Sequence, residues 1–227
     1  WNTWKNRTHA SETVTPNATW NGIELYCEIT DADGHSTTTD TVTITVNPAP
    51  FDITTQPANQ YIILGKSVTV SVKATGSGLT YQWYYKKKGQ SSFSVWNNRT
   101  HASETCTPNA TWDGIQLYCV VKDGSGATKT TNTITVSVLS IATQPKSQTI
   151  AKGSSVTVSV KATGSGLKYQ WYYKKKGASG WSVWNNRTHA SETVTPNATW
   201  DGIQLYCKVT DGAGNTVDSD AATITLK

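Results

Sequence analysis

Apolar and polar residues alternate along most of the chain. Val68, Val70 and Val72 take every second position against Thr69, Ser71 and Lys73. Leu79, Tyr81, Trp83 and Tyr85 alternate with Thr80, Gln82 and Tyr84. Ile115, Leu117, Cys119 and Val121 follow the same rule, as do Ile134, Val136 and Val138. A period of two sends successive side chains to opposite faces of an extended backbone, so each stretch predicts a strand with one buried face. Turn formers separate these stretches at Gly76-Ser77-Gly78, Lys88-Gly89, Asp113-Gly114 and Asp123-Gly124-Ser125-Gly126. No stretch carries the period of an amphipathic helix. The prediction is an all-β chain of antiparallel two-sheet sandwiches, because a sheet with one apolar face buries it by stacking on another.

The pattern is replayed at a fixed interval. Trp83-Tyr84-Tyr85-Lys86-Lys87-Lys88-Gly89 recurs from Trp171 to Gly177, an interval of 88 residues (171 − 83). Asn98-Arg99-Thr100-His101-Ala102-Ser103-Glu104 returns from Asn186 and occurs once earlier, from Asn6. Gln56-Pro57 and Gln144-Pro145 open the two full units. The domain organisation expected is therefore residues 1–50 as the C-terminal half of a repeat, then 51–139 and 140–227 as complete repeats. Residues 1–46 match the later part of each repeat, with Trp1 at the position of Phe93 and Trp181, and nothing in them corresponds to residues 67–85, SVTVSVKATGSGLTYQWYY. A half-unit cannot bury its apolar face alone. Two readings follow: the sequence starts mid-repeat, or another chain supplies the missing strands by exchange, which would make a homo-oligomer. Val138 to Gln144 leaves little slack between the full repeats, and Asn47-Pro48-Ala49-Pro50 is expected to stiffen the first junction.

The strand with Trp83, the GKSVTVSV strand and the DGIQLYCVV strand together resemble an immunoglobulin-like sandwich. More narrowly, the motifs TQP, G-x-S-V-T-V-S-V-K-A-T-G-S-G-L-x-Y-Q-W-Y-Y and D-G-I-Q-L-Y-C-x-V-x-D resemble the tandem bacterial Ig-like repeats of secreted and cell-surface proteins of gut Firmicutes. The resemblance covers essentially the whole chain. It implies the core-Trp role for Trp83 and Trp171 and the second core-cysteine position for Cys119 and Cys207. The first such position holds Val72 and Val160, so the usual inter-sheet disulfide is absent, and Leu117 and Leu205 stand where the family often has the corner tyrosine. Cys27, Cys119 and Cys207 are one position in three repeats and cannot pair with one another. Cys106 stands where the other repeats have Val14 and Val194 and is expected to point inward. A Cys106–Cys119 bridge and two unpaired thiols are both open.

Composition fits an extracellular β-rich module rather than a helical cytosolic enzyme: 36% hydrophobic and 15% charged residues, with 10 Trp and 10 Tyr against 2 Phe and no Met. No apolar run reaches the roughly 18 residues of a membrane helix, so no membrane insertion is expected. The net charge of +5 is too small and too spread to indicate nucleic acid. The chain opens without Met and without a signal-peptide pattern, so a processed protein or a piece of a longer one is expected.

Candidate chemistry is sparse. His9, His101 and His189 occupy one repeated position and His35 lies in a turn, with no HExxH, CxxC, G-x-S-x-G or P-loop spacing. No catalytic residue, metal or cofactor is expected. A Lys–Asn or Lys–Asp crosslink of the kind found in some bacterial stalk domains requires an inward Lys, whereas Lys73 and Lys161 fall on the outward phase. Glu104 and Glu192 fall on inward positions, and because burying an unpaired carboxylate is costly Glu104 is expected to bend to the rim or to pair with Arg99. The Asp-Gly turns read as hairpins rather than calcium loops. Six Asn-x-Thr sequons, from Asn6 to Asn197, read as unmodified turns and strands if the resemblance holds. The candidate ligand face comprises Tyr84, Trp96, Trp112 and Tyr118, with Tyr172, Trp184, Trp200 and Tyr206 as their repeats, set against the alternative of cross-strand pairs that stiffen the sheet. The Lys86-Lys87-Lys88 tip is a solvated turn or a contact for anionic polymers. The function expected is a non-catalytic bacterial surface stalk or adhesin segment. The alternatives are a module binding a host glycan, a host protein or a cell-wall polymer, and a fibre subunit that completes its half-domain from a neighbour.

Overall fold

The computed structural model describes residues 1–47 and 49–227. The expectation of a stiff Asn47–Pro50 junction includes Pro48 and lies outside the described residues. The chain divides into two compact units, residues 1–51 with 75–77, and residues 52–74 with 78–227. Regular structure in both is β, apart from one-turn 3₁₀ segments at Ala18–Trp20, Ala110–Trp112 and Ala198–Trp200.

In the first unit, β1 (Glu24–Leu25) pairs antiparallel with β4 (Val42–Thr43), and β2 (Glu28–Thr30) with β3 (Ser36–Thr38). The second unit holds both complete repeats apart from residues 75–77. Its first repeat runs β5 (Asp52–Thr55), β6 (Gln60–Ile63), β7 (Val68–Ser71), β8 (Lys73–Thr75), β9 (Thr80–Lys86), β10 (Ser94–Val95), β11 (Ser103–Cys106), β12 (Ile115–Lys122), β13 (Thr128–Thr130) and β14 (Ile134–Thr143). One sheet has the order β10-β9-β12-β14, with β13 also on β12 and β6 running parallel to β14; the facing sheet contains β7 paired with β11. The second repeat follows the same plan with β15 (Gln148–Ile150), β16 (Val156–Ser159), β17 (Lys161–Thr163), β18 (Lys168–Lys174), β19 (Ser182–Val183), β20 (Ser191–Val194), β21 (Ile203–Thr210), β22 (Thr216–Asp218) and β23 (Ala222–Leu226). These are tandem immunoglobulin-like sandwiches, as the alternation predicts.

The inward positions are the alternating ones. Val68, Val70, Val72, Trp83, Ile115, Leu117, Cys119, Val121, Ile134, Val136 and Val138 are all buried. Trp83 and Trp171 are fully enclosed, and each indole N–H donates to a backbone oxygen at 2.9 Å, of His101 and His189 respectively. That bond removes the cost of burying a lone donor.

The junction between the full repeats differs from the expectation of separate units with a short linker. β14 is one ten-residue strand. Its first half pairs with β12 and β6, and its second half pairs with β17 of the next repeat through Ser140↔Thr163 and Ile141↔Ala162. Leu139 is fully buried among the second repeat's core residues, Val156, Val158 and Trp171 included, while its carbonyl accepts from Leu64 N of the first repeat at 3.0 Å. Asn215 Nδ2 of the second repeat also donates to Tyr61 O of the first at 3.4 Å. Strand pairing thus continues across the junction, with one irregularity between Ile141 and Thr143.

Candidate functional site

The outward face of each full repeat carries an aromatic ladder built by strand register. Tyr84 on β9 stands opposite Tyr118 on β12, and their rings stack at 4.9 Å with 5° between planes. Tyr172 and Tyr206 repeat this at 4.9 Å and 7°. A third ring closes the edge: Phe93 lies 4.7 Å from Tyr118, and Trp181 lies 4.7 Å from Tyr206, both nearly perpendicular. Lysines cap the rings, with Lys86 Nζ 4.9 Å over Phe93, Lys174 Nζ 5.1 Å over Trp181 and Lys208 Nζ 5.6 Å over Tyr172. The first lysine of each basic tip is therefore held on the ladder, while the other two are exposed. Burial, with the neighbouring Tyr84, raises the Tyr118 hydroxyl above its ordinary value; burial, Asp218 and Tyr172 do the same for Tyr206. Both phenols stay protonated and can donate.

The tryptophans form a second group. Trp112, at the end of its 3₁₀ turn, folds back edge-on to Trp96 at 5.2 Å, and Trp200 meets Trp184 at the same distance. Arg99 lies 5.1 Å over Trp96, and Arg187 lies 5.2 Å over Trp184. The loop achieves this by passing Asn98 through the left-handed region, φ 60°, which Asn tolerates better than most residues. Trp96 and Trp112, with Tyr85, Val95 and Ile115, line an open depression of about 320 Å³. Between Trp112 and Ile115 in the chain, Gly114 has φ +80°, and a Cβ there would stand 3.1 Å from Lys88 Cδ, so glycine lets the lysine stem lie against the backbone. All eight predicted ligand residues are half-buried, and the structure sorts them into a stacked Tyr pair and a Trp pair in each repeat.

Beneath the tryptophans the inward acid is satisfied. Glu104 is buried and accepts from Arg99 Nη1 at 3.2 Å and from His101 N at 2.9 Å, with His101 Nδ1 at 3.1 Å. Glu192 has the same partners in Arg187 and His189. Burial pushes each carboxyl up, but the donated hydrogen bonds and the guanidinium outweigh it and hold both below the ordinary value. The repeated histidines thus clasp a loop.

The bridge considered between Cys106 and Cys119 is not formed, and all four cysteines are free. Cys106 on β11 pairs in register with Val68, in the sheet that faces the one carrying Cys119. The Cys119 thiol donates within its own strand, to Val120 O at 3.6 Å. Burial pushes Cys119 and Cys207 up to about 12. They remain thiols and act as small buried apolar groups. Lys73 and Lys161 are exposed, as alternation places them.

Asp31, Asp33 and His35 bring three ligand-type atoms within 4.8 Å of one another, a grouping that sequence reasoning read only as a turn. Asp31 Oδ1 is already used: it accepts from Asp33 N at 2.9 Å and His35 N at 2.8 Å. Asp123 clasps its own turn the same way, through Ser125 N and Ala127 N. The lysine caps, the Arg–Trp contacts and the role of Leu139 were not anticipated. Apart from the Lys208–Tyr172 contact, made between paired strands, each depends on a loop path or a strand crossing that alternation does not encode.

No family model and no curated protein matches the sequence. Among solved structures the chain is similar to a tandem Ig fragment of DIP-gamma, with 12% identity over 78% of this chain and 98% of that one and a TM-score of 0.46. It is similar to extracellular domains 3–5 of Drosophila OTK, with 14% identity over 90% of this chain and 70% of that one and a TM-score of 0.44. It is also similar to an I-band fragment of titin, with 15% identity over 79% and 66% and a TM-score of 0.46.

Proposed function

We propose that the chain is a non-catalytic extracellular segment that spaces or presents other parts of a bacterial surface protein. The observation that carries this reading is β14, a single strand that ends one sandwich and begins the next. A spacer must transmit position and load, and a shared strand does so through backbone hydrogen bonds and the buried Leu139 rather than through a flexible linker. The polar interior supports the same reading. Among the described residues every buried side-chain nitrogen and oxygen has a hydrogen-bond partner, so the inward acids are occupied by structure.

A second reading, capture of a glycan or protein, is favoured by the Trp96–Trp112 depression and by the matching ring pair of Trp184 and Trp200. Half-buried rings beside exposed lysines suit the apolar face of a sugar or an anionic polymer. One experiment separates the two. The chain is screened on glycan and cell-wall polymer arrays beside the Y84A/Y118A and W112A variants. The spacer reading expects no saturable binding by any of the three. Saturable binding lost in either variant would establish a binding module instead.

A further inference from the structure

Alternation on β21 sends Tyr206 and Lys208 to one face of the second repeat, and the register Lys208↔Asp218 puts Asp218 of β22 beside them. Register thus offers an opposite-charge cross-strand pair. The ion pair is not made: Lys208 Nζ lies instead over the Tyr172 ring, 5.6 Å from its centroid. Asp218 is exposed, and among the described residues no hydrogen bond or ion pair reaches its carboxylate. Asp218, Tyr206 and Trp181, with Ser219 and Ala221, line a shallow depression of about 290 Å³. Trp181 is 38% exposed and stands perpendicular to Tyr206 at 4.7 Å, so two aromatic walls meet beside an unused acceptor.

The polar groups decide what fits. An ionised carboxylate only accepts hydrogen bonds, and an ammonium only donates them. Asp218 lies in the depression, and Lys174 Nζ sits over the Trp181 ring at 5.1 Å. An anion is opposed by the first and a cation by the second. A neutral ring that donates at one atom, accepts at the next and has an apolar face for the aromatic walls meets both conditions. The volume is near the lower end of the roughly 300–1,000 Å³ of ligand clefts, room for one such ring. Ser219 Oγ is already engaged, accepting from Cys207 N at 2.9 Å and donating to Asp220 O at 2.8 Å, which leaves Asp218 as the polar anchor.

We propose that this depression binds a neutral pyranose, with the apolar face of the sugar on the Trp181 indole and its hydroxyls donating to Asp218. The first repeat is an internal comparison. It keeps Tyr118 but has Phe93, Thr130 and Val120 in the places of Trp181, Asp218 and Lys208. Its matching face lacks the carboxylate, so the site belongs to the second repeat alone. It shares no lining residue with the Trp96–Trp112 depression, and neither the spacer reading nor the capture reading depends on it.

The test uses the whole chain labelled with nitrogen-15 and follows its indole N–H signals by magnetic resonance. The titrants are the methyl pyranosides of glucose, galactose, mannose and N-acetylglucosamine. The Trp181 signal is identified by its loss in W181F. At least one of the four sugars should shift it saturably while the Trp96 and Trp112 signals stay in place. A shallow site for one ring expects a millimolar Kd, too weak to be retained on a washed array, so this test and the array screen answer separately. D218T gives the second repeat the residue that the same fold carries at Thr130. It should weaken binding by about 10-fold or more, as expected for losing a hydrogen bond to a charged group. No saturable Trp181 shift with any of the four sugars overturns the proposal, and so does unchanged affinity in D218T. Equal or tighter saturation by tetramethylammonium chloride or by inorganic phosphate also overturns it, because the site would then select an ion.

Discussion

Glu104 and Glu192 occupy inward positions of β11 and β20 where alternation alone calls for an apolar side chain. A carboxylate there is tolerated because Arg99 or Arg187 and a backbone N–H face it. The arginine in turn rests on a tryptophan, so acid, cation and ring form one packed clip. Both carboxyls sit below the ordinary glutamate value of 4.5. The unfolded chain therefore takes up protons first on acidification. The stability that the clips contribute is fully present above about pH 4.5 and is lost as pH falls through the lower folded value. In E104Q/E192Q the drop in thermal midpoint between pH 6 and pH 3 should shrink. The variant should be less stable at neutral pH by about 1–3 kcal/mol per site, the usual cost of weakening a buried charge-assisted bond. Calorimetry across that pH range checks both.

At the scale of elements, β7, β9 and β12 were legible because each has one face inward along its whole length. Val68 and Val70, or Ile115 to Val121, mark the core unaided. β14 was not. Val136, Ser137, Val138, Leu139 and Ser140 are buried in succession, since the strand leaves one sandwich and enters the next and its inner face changes midway. The polar members of that run are satisfied: Ser140 Oγ meets Thr163 Oγ1 at 2.8 Å, and Ser137 Oγ donates to Asp113 Oδ1 at 3.5 Å. Read by period alone, residues after Val138 look like a linker. The aromatic site was legible in part. Register placed Tyr84 against Tyr118, but the ring that closes the ladder comes from Phe93 or Trp181, beyond a turn, and the cation over Trp96 comes through the left-handed Asn98. Leu139 is the residue on which the junction turns. L139A should destabilise the second repeat by about 2–5 kcal/mol, the range for emptying a buried leucine site. Hydrogen exchange should show faster opening of β16 to β23, with β9 and β12 of the first repeat little changed.

At the scale of the whole molecule there are two compact units. Residues 1–51 hold a half-repeat whose inner face is uncovered. The two full repeats belong to one compact unit because β14 is common to both, and this coupling is the central claim on which the spacer reading stands. The most direct test places spin labels at Ser103 on β11 and Ser191 on β20, both exposed, in a C27S/C106V background, and measures the distance between them by pulsed electron spin resonance. A shared strand predicts one narrow distance distribution, unchanged by dilution and broadened in L139A. A broad or multi-peaked distribution in the parent chain would mean that the repeats move independently, and the account of β14 would be wrong.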